Sequence, residues 1–171
     1  MANTYAVWNG AMPTTAALAP VATGTAIKTM LQLVPAVPIK IVEWGVSFDG
    51  SAAATPGKCE LIHTGTVAAT VTAYAAADVF PYFDPNAPAN SAGSTGTPLN
   101  LGTALSGYTA SAEGSITATR LGDYQLVAPT NQWAKQWPLA REFGIPAGGV
   151  LRIRMTFGTT INALCYVIFE V

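Results

Sequence analysis

Alternation of apolar and polar residues dominates this chain, and apolar positions three and four apart are rare. From Ala26 to Val34, Ile27, Thr29, Leu31 and Leu33 share one face, with Lys28, Met30 and Gln32 on the other. Pro35 and Pro38 then bracket a turn. Ile39 to Phe48 is a second strand. It starts with Ile39 and Ile41 on one face and continues with Val42, Trp44, Val46 and Phe48 on the other. Such a change of phase predicts a bulge, or a strand buried on both sides. Asp49-Gly50 signals a turn, and the small residues up to Gly57 a loop. Lys58 to His63 and Val67 to Tyr74, separated by Thr64-Gly65-Thr66, read as a hairpin.

Further on, Ser115 to Leu121, Tyr124 to Ala128, Gln132 to Trp137 and Arg141 to Phe143 read as short strands. In Val150 to Phe157, Leu151, Ile153, Met155 and Phe157 oppose Arg152, Arg154 and Thr156. In Ile161 to Val171, Ile161, Ala163, Cys165, Val167 and Phe169 share a face, and Leu164, Tyr166 and Ile168 make the other apolar too. A strand apolar on both faces lies centrally between layers or faces a partner. Some eight to ten short strands with these turns predict an all-β fold: an antiparallel, jelly-roll-like β-sandwich over residues 26–171.

Two stretches interrupt the pattern. Residues 1–25 are rich in Ala, Thr and Pro, with Trp8, Met12 and Leu18 as anchors. They read as an extended N-terminal arm, packed on its own domain or crossing to another subunit by adding to a sheet edge. Residues 81–107 hold Pro81, Pro85, Pro88 and Pro98 with Tyr82 and Phe83. This stretch is too broken for a regular element and long for a loop inside one domain. It reads as an excursion over the surface, or onto a neighbour.

Composition narrows the classes of function. Of 171 residues only 10% are charged: eight Lys and Arg, nine Asp and Glu, and a net charge of -1. That lacks the basic surplus of a phosphate-binding protein, so no nucleic-acid partner is expected. Half of the residues are hydrophobic, the reverse of a disordered chain. No apolar run approaches the ~20 residues of a membrane helix, and the start shows no secretory leader. So sparse a charge for a chain of this size implies that Thr, Ser, Asn and Gln cover the surface, that partners cover part of it, or a mixture of the two.

No residue pattern carries catalysis, and neither enzyme activity nor a cofactor is expected. His63 stands alone at a strand end, with no nucleophile elbow to serve. Cys59 and Cys165 fit no metal spacing and read as buried free thiols, with a disulfide as the alternative. Asp78 and Asp84 read as solvated loop carboxylates. Asp123, Glu43 and Glu60 show no spacing for paired-carboxylate chemistry. Trp133 and Trp137, four apart on one strand face, form with Tyr124 either a sugar-stacking platform or anchors at the end of a sandwich or a subunit interface. Arg152 and Arg154 read as partners of Glu142 or Glu170, or as an inter-subunit bridge.

The segment Glu43-Trp44-Gly45-Val46-Ser47-Phe48-Asp49-Gly50 resembles a block in small proteins encoded among the head genes of tailed bacteriophages. So do Arg141-Glu142-Phe143, Gly148-Gly149-Val150-Leu151-Arg152-Ile153-Arg154 and Ala163-Leu164-Cys165-Tyr166-Val167-Ile168-Phe169-Glu170. The likeness covers most of the chain after about Thr25 and is weakest over residues 81–107. It implies a virion component assembled in the host cytoplasm, a capsid decoration (cement) protein. Its partners would be the major capsid protein and itself, as a homotrimer at local three-fold axes. The interface would draw on Trp8, Met12, Leu18, Tyr82, Phe83, Trp133, Trp137, Arg152, Arg154, Leu164, Tyr166 and Ile168. The alternative is a head-fibre or tail-associated module that binds host carbohydrate.

Overall fold

Thirteen strands make up a computed structural model that describes residues 3–49, 55–87 and 98–171. They are β1 (Thr4–Trp8), β2 (Val21–Ala22), β3 (Lys28–Leu33), β4 (Ile39–Phe48), β5 (Gly57–His63), β6 (Thr70–Ala73), β7 (Phe80–Pro81), β8 (Gly107–Ala112), β9 (Arg120–Val127), β10 (Trp133–Gln136), β11 (Phe143–Ile145), β12 (Leu151–Thr156) and β13 (Asn162–Glu170). A 3-10 turn, Ala76–Asp78, precedes β7.

Two antiparallel sheets pack face to face. One has seven strands, in the order β10-β4-β13-β1-β7, with β11 beside β4 and β2 beside β13. The other has six, in the order β6-β8-β3-β12-β5-β9. The long-range pairs nest: β1 with β13, β3 with β12, β4 with β10 and β11, and β5 with β9. Successive members of this series fall in alternate sheets, which is the winding of a jelly roll. Residues 64–119, between β5 and β9, carry β6, β7 and β8 as additions to both sheets.

Alternation builds the core between the sheets. Tyr5 and Val7 from β1, Ile41, Trp44 and Val46 from β4, and Cys165, Val167 and Phe169 from β13 meet Leu31, Leu33, Cys59, Leu61, Ile153 and Met155 from the opposite sheet. Tyr5 stacks on Phe169 at 5.7 Å between ring centroids. The phase change in β4 is a bulge. Register slips between Ile168 and Phe169, which face Glu43 and Ile41, so Val42 is the extra residue. This is why Ile41 and Trp44, three apart, both point inward. A second bulge at Met30 brings Met30 and Leu31 together into the core.

The structure differs from the sequence reading at several points. The expected hairpin over residues 58–74 does not form: β5 lies between β12 and β9, and β6 pairs with β8. The turn at Thr64 instead bonds to Val150, through Thr64 N–H to its carbonyl at 2.8 Å, and sends the chain across the outer face of the sheet. The two strands expected over 115–121 and 124–128 are one strand, β9. Gly122 is no turn. It is the extra residue of a bulge, and a Cβ there would lie 2.9 Å from the Phe143 ring, so glycine permits close approach. Gly107–Ala112, not anticipated as a strand, is β8. The lead-in is not a free arm at its start, because Thr4–Trp8 is paired on both sides, with β13 and β7. Of the excursion 81–107, both ends are seated on the chain's own fold. Tyr82 N–H donates to Thr4 (2.7 Å), and Leu99 is buried opposite Pro35. Pro88 and the rest of 88–97 lie outside the described residues, as do Gly50 and the loop residues 51–54.

Asp123, on β9, ties the two sheets at one edge. It accepts from Trp44 Nε1 (3.1 Å) and Gln125 Nε2 (3.0 Å) and faces Lys135 Nζ at 3.2 Å. Burial pushes its carboxyl up, but the bonds from Gln125, Lys135 and Trp44 outweigh this and hold it below its ordinary value. His63 is also held below its ordinary value, by burial first and then by Arg120. Both shifts predict loss of stability in acid. The His63 contribution is complete above about pH 6.5 and fades as pH falls through the folded value; that of Asp123 is complete above about pH 3.9 and fades below it. Urea midpoints measured downward from about pH 8 should fall in two stages, with His63→Gln removing the first and Asp123→Asn the second. A flat profile in the parent would contradict both assignments.

Candidate functional site

The outer face of the seven-stranded sheet collects aromatic side chains that the core does not need. Because Tyr5 and Val7 point inward, Ala6 and Trp8 point outward. Because Cys165, Val167 and Phe169 point inward, Leu164, Tyr166 and Ile168 point outward. Register then sets neighbours: Trp8 lies opposite Tyr166, Ala6 opposite Ile168, and Phe80 of β7 opposite Ala6. The Trp8 and Tyr166 rings lie 4.7 Å apart at 36°. Phe80 meets Tyr82 at 6.4 Å, and Tyr82 meets Phe83 edge-on at 4.9 Å. Tyr82 and Phe83 are 48% and 75% exposed, a large apolar area left in water.

Gly45 explains how the Tyr166 ring lies against the sheet. The two residues are directly paired, and a Cβ on Gly45 would sit 2.5 Å from Cε1 of that ring. The Tyr166 hydroxyl donates a short hydrogen bond to Glu43 Oε1. Burial, followed by the Glu43 carboxylate, holds the Tyr166 phenol well above its ordinary value, so it stays protonated at neutral pH. The Glu43 carboxylate therefore stands beside the ring cluster, oriented by the ring it touches.

This face unites Trp8, Tyr82, Phe83, Leu164, Tyr166 and Ile168 from the residues selected in the sequence. It adds Phe80, Gly45 and Glu43, which were not selected as site residues. Gly45 inside a strongly apolar strand was the available signal, since glycine there marks a close approach.

The other selected residues lie elsewhere. Met12 and Leu18 belong to the irregular stretch after β1. There Asp78 fixes the chain, accepting from Met12 N–H (2.7 Å) and Ala75 N–H (2.8 Å). Asp78 is thus buried, unlike the solvated carboxylate expected. Asp84 accepts from Asn86 N–H at an exposed turn. Trp133 and Trp137 pack against the core at the edge of the sandwich, with the Lys135 ammonium 5.0 Å from the Trp137 ring centroid. Tyr124 is on the outer face of the other sheet, so the three-ring platform is not assembled.

Arg152 and Arg154 share the outer face of the six-stranded sheet, but their partners are Glu113 (3.3 Å) and Glu60 (2.5 Å) rather than Glu142 or Glu170. Arg152 is fully buried within its own subunit and leaves no guanidinium for a bridge to another. Cys59 and Cys165 are free and buried. Burial pushes the Cys59 thiol up to about 12 and raises that of Cys165, so neither is a thiolate nucleophile at neutral pH. Among the described residues, no three His, Cys, Asp or Glu side chains gather as a metal would require.

Comparisons with family models, with curated proteins and with solved structures give no match for this chain.

Proposed function

We propose that the chain is a structural component of a tailed-bacteriophage particle, a capsid decoration (cement) protein that binds the outer capsid surface and copies of itself. The observation that carries this reading is the outer-face aromatic group of half-buried Trp8, Phe80 and Tyr166 with exposed Tyr82 and Phe83, on a sheet whose other face already supplies the core. Aromatic residues are enriched where protein interfaces are dry and central. The low charge supports the same reading, and the jelly-roll winding is compatible with it, since that fold serves capsid and lectin modules alike. Burial of roughly 1,600 Å² per contact, repeated over a shell, would oppose expansion of the container.

The test replaces Tyr82 with Ser and Phe83 with Asp. Both side chains are exposed, so thermal unfolding of the isolated subunit should change little. Sedimentation should show the parent as an oligomer that co-sediments with capsid shells, with the paired variant losing both properties. A parent that is monomeric and ignores shells would overturn the proposal. So would particles that keep their heat stability once stripped of the protein.

A second reading, a host-glycan-binding module, is favoured by one feature: the Glu43 carboxylate beside the Tyr166 ring. Carboxylate oxygens suit sugar hydroxyls, and ring faces suit the apolar side of a pyranose. Retention on a glycan array that Phe83→Asp abolishes would favour it over the cement role.

A further inference from the structure

The outer face of the six-stranded sheet is divided in two. Over one half, the chain's own insertion lies across the strands and is held by their side chains. Arg152 Nη1 donates to the Glu113 carbonyl at 2.8 Å, and Arg152 Nη2 to the Val67 carbonyl. Gln32 Nε2 donates to the carbonyls of Leu105 (2.6 Å) and Ala69 (3.2 Å), while its Oε1 accepts from Ala69 N–H (2.7 Å). Glu113 completes the cover, accepting from Thr29 Oγ1 at 2.6 Å. On this half, the outward polar residues of β3 and β12 grip irregular backbone.

The other half carries the same kind of row with nothing laid over it by the described residues. A groove of about 390 Å³ is lined by Ile27, Lys58, Glu60, Tyr124, Arg154 and Thr156. Leu126 stands beside it, opposite Lys58 in register and 66% exposed. Glu60 binds one nitrogen of Arg154, while Lys58 Nζ has no acceptor among the described residues. Arg154 is thus neutralised by Glu60, with side chains only 13% and 15% exposed, and Lys58 is left as the uncompensated cation between apolar walls of Ile27, Tyr124 and Leu126.

We propose that this open half-face seats an extended acidic segment of a partner protein. The covered half shows that the outward side chains of these strands hold crossing backbone. The uncompensated Lys58 ammonium selects an acidic side chain for the space beside it. The exposed apolar residues favour an extended segment with apolar positions between the acids. The carboxylate-bearing aromatic face of a second copy fits less well. It lies on the opposite side of the sandwich, so joining the two faces between copies would run to an open stack instead of a closed oligomer. The assignment concerns a class of peptide and stands whether or not the partner is a viral shell.

Fluorescence anisotropy with the full chain tests it. The probes are short labelled peptides in which valine and threonine alternate with glutamate, lysine or serine. The glutamate peptide should bind most tightly, and its affinity should fall with added salt. Lys58→Glu, an exposed change, should weaken it about tenfold. Tyr124→Ser should weaken all three peptides, and Phe83→Asp on the opposite face should leave binding unchanged. That last variant separates this site from the aromatic one, where the same change is half of the paired variant expected to lose self-association. Equal affinity for the three peptides, no binding of any, or full affinity in Lys58→Glu would overturn the assignment. So would displacement of the glutamate peptide by a sulfated polysaccharide that binds more tightly.

Discussion

Replacing Arg152 with methionine should destabilise the protein by about 3–5 kcal/mol, the range for removing one partner of a buried ion pair. Methionine keeps most of the apolar stem, so the loss isolates the guanidinium. That group is the hub of the covered half-face. Without it the carbonyls of Val67 and Glu113 lose their donors, and the Glu113 carboxylate keeps only the Thr29 contacts. The Glu113 side chain is 24% exposed, so water can reach it after the change, which places the expected value toward the lower end. Arg154 is a control. It meets one carboxylate and no backbone carbonyl, so Arg154→Met removes fewer bonds and should cost less. Urea unfolding at neutral pH reads both, with an unchanged slope confirming a shift in stability alone. For a chain of this size the Arg152 variant should lose roughly 6–20 °C in Tm. A loss below about 1 kcal/mol would show that the network contributes little.

That network was not legible in the sequence. Alternation placed Arg152, Arg154 and Gln32 correctly as residues facing away from the core. A polar face on a strand ordinarily means solvent, and nothing local shows that residues 64–69 and 113 return to cover half of it. Thr29 and Gln32 are buried for the same reason. Local periodicity reports which side of a strand a residue takes; what lies on that side depends on the winding of the chain.

Strand identity was legible wherever one face feeds the core. In β4, β12 and β13 the period-two pattern follows from that single requirement, and even the break of phase at Val42 read correctly as a possible bulge. Pairing was less accessible. Thr64-Gly65-Thr66 looks like a hairpin loop because a tight turn and a hairpin share residues. The nested winding, however, gives both edges of β5 to β12 and β9, strands far away in sequence. Gly122 misled for a related reason, since glycine serves equally to turn a chain and to admit a ring. The aromatic face was legible as a set of residue types but not as a place. Trp8 and Tyr166 become neighbours only through the β1–β13 register, and Tyr82 reaches them only because the excursion begins as a strand beside β1.

Trp44 is the residue at which core and edge depend on one side chain. It is fully buried, and its indole nitrogen reaches Asp123 on the opposite sheet. Trp44→Ala should cost about 3–5 kcal/mol, because it removes the largest side chain in the core and leaves a cavity between the sheets. Trp44→Phe separates that packing loss from the hydrogen bond. Phenylalanine refills much of the volume but donates nothing to Asp123, and the expected cost is about 1–3 kcal/mol. The two variants should also differ from a purely packing defect in their response to acid. The Trp44 bond is one of several that hold the Asp123 carboxyl low, together with those of Gln125 and Lys135, so losing it moves that carboxyl back toward its ordinary value. The stability supplied by Asp123 above about pH 3.9 then shrinks, and the acid-dependent part of the urea midpoint becomes smaller in Trp44→Phe than in the parent. Adding Asp123→Asn to Trp44→Phe should remove what remains of that dependence and cost less than the sum of the single changes, because the two residues act through one contact. Full additivity, with the acid dependence of Trp44→Phe unchanged from the parent, would mean that the indole only fills space and that Lys135 and Gln125 alone close the edge of the sandwich.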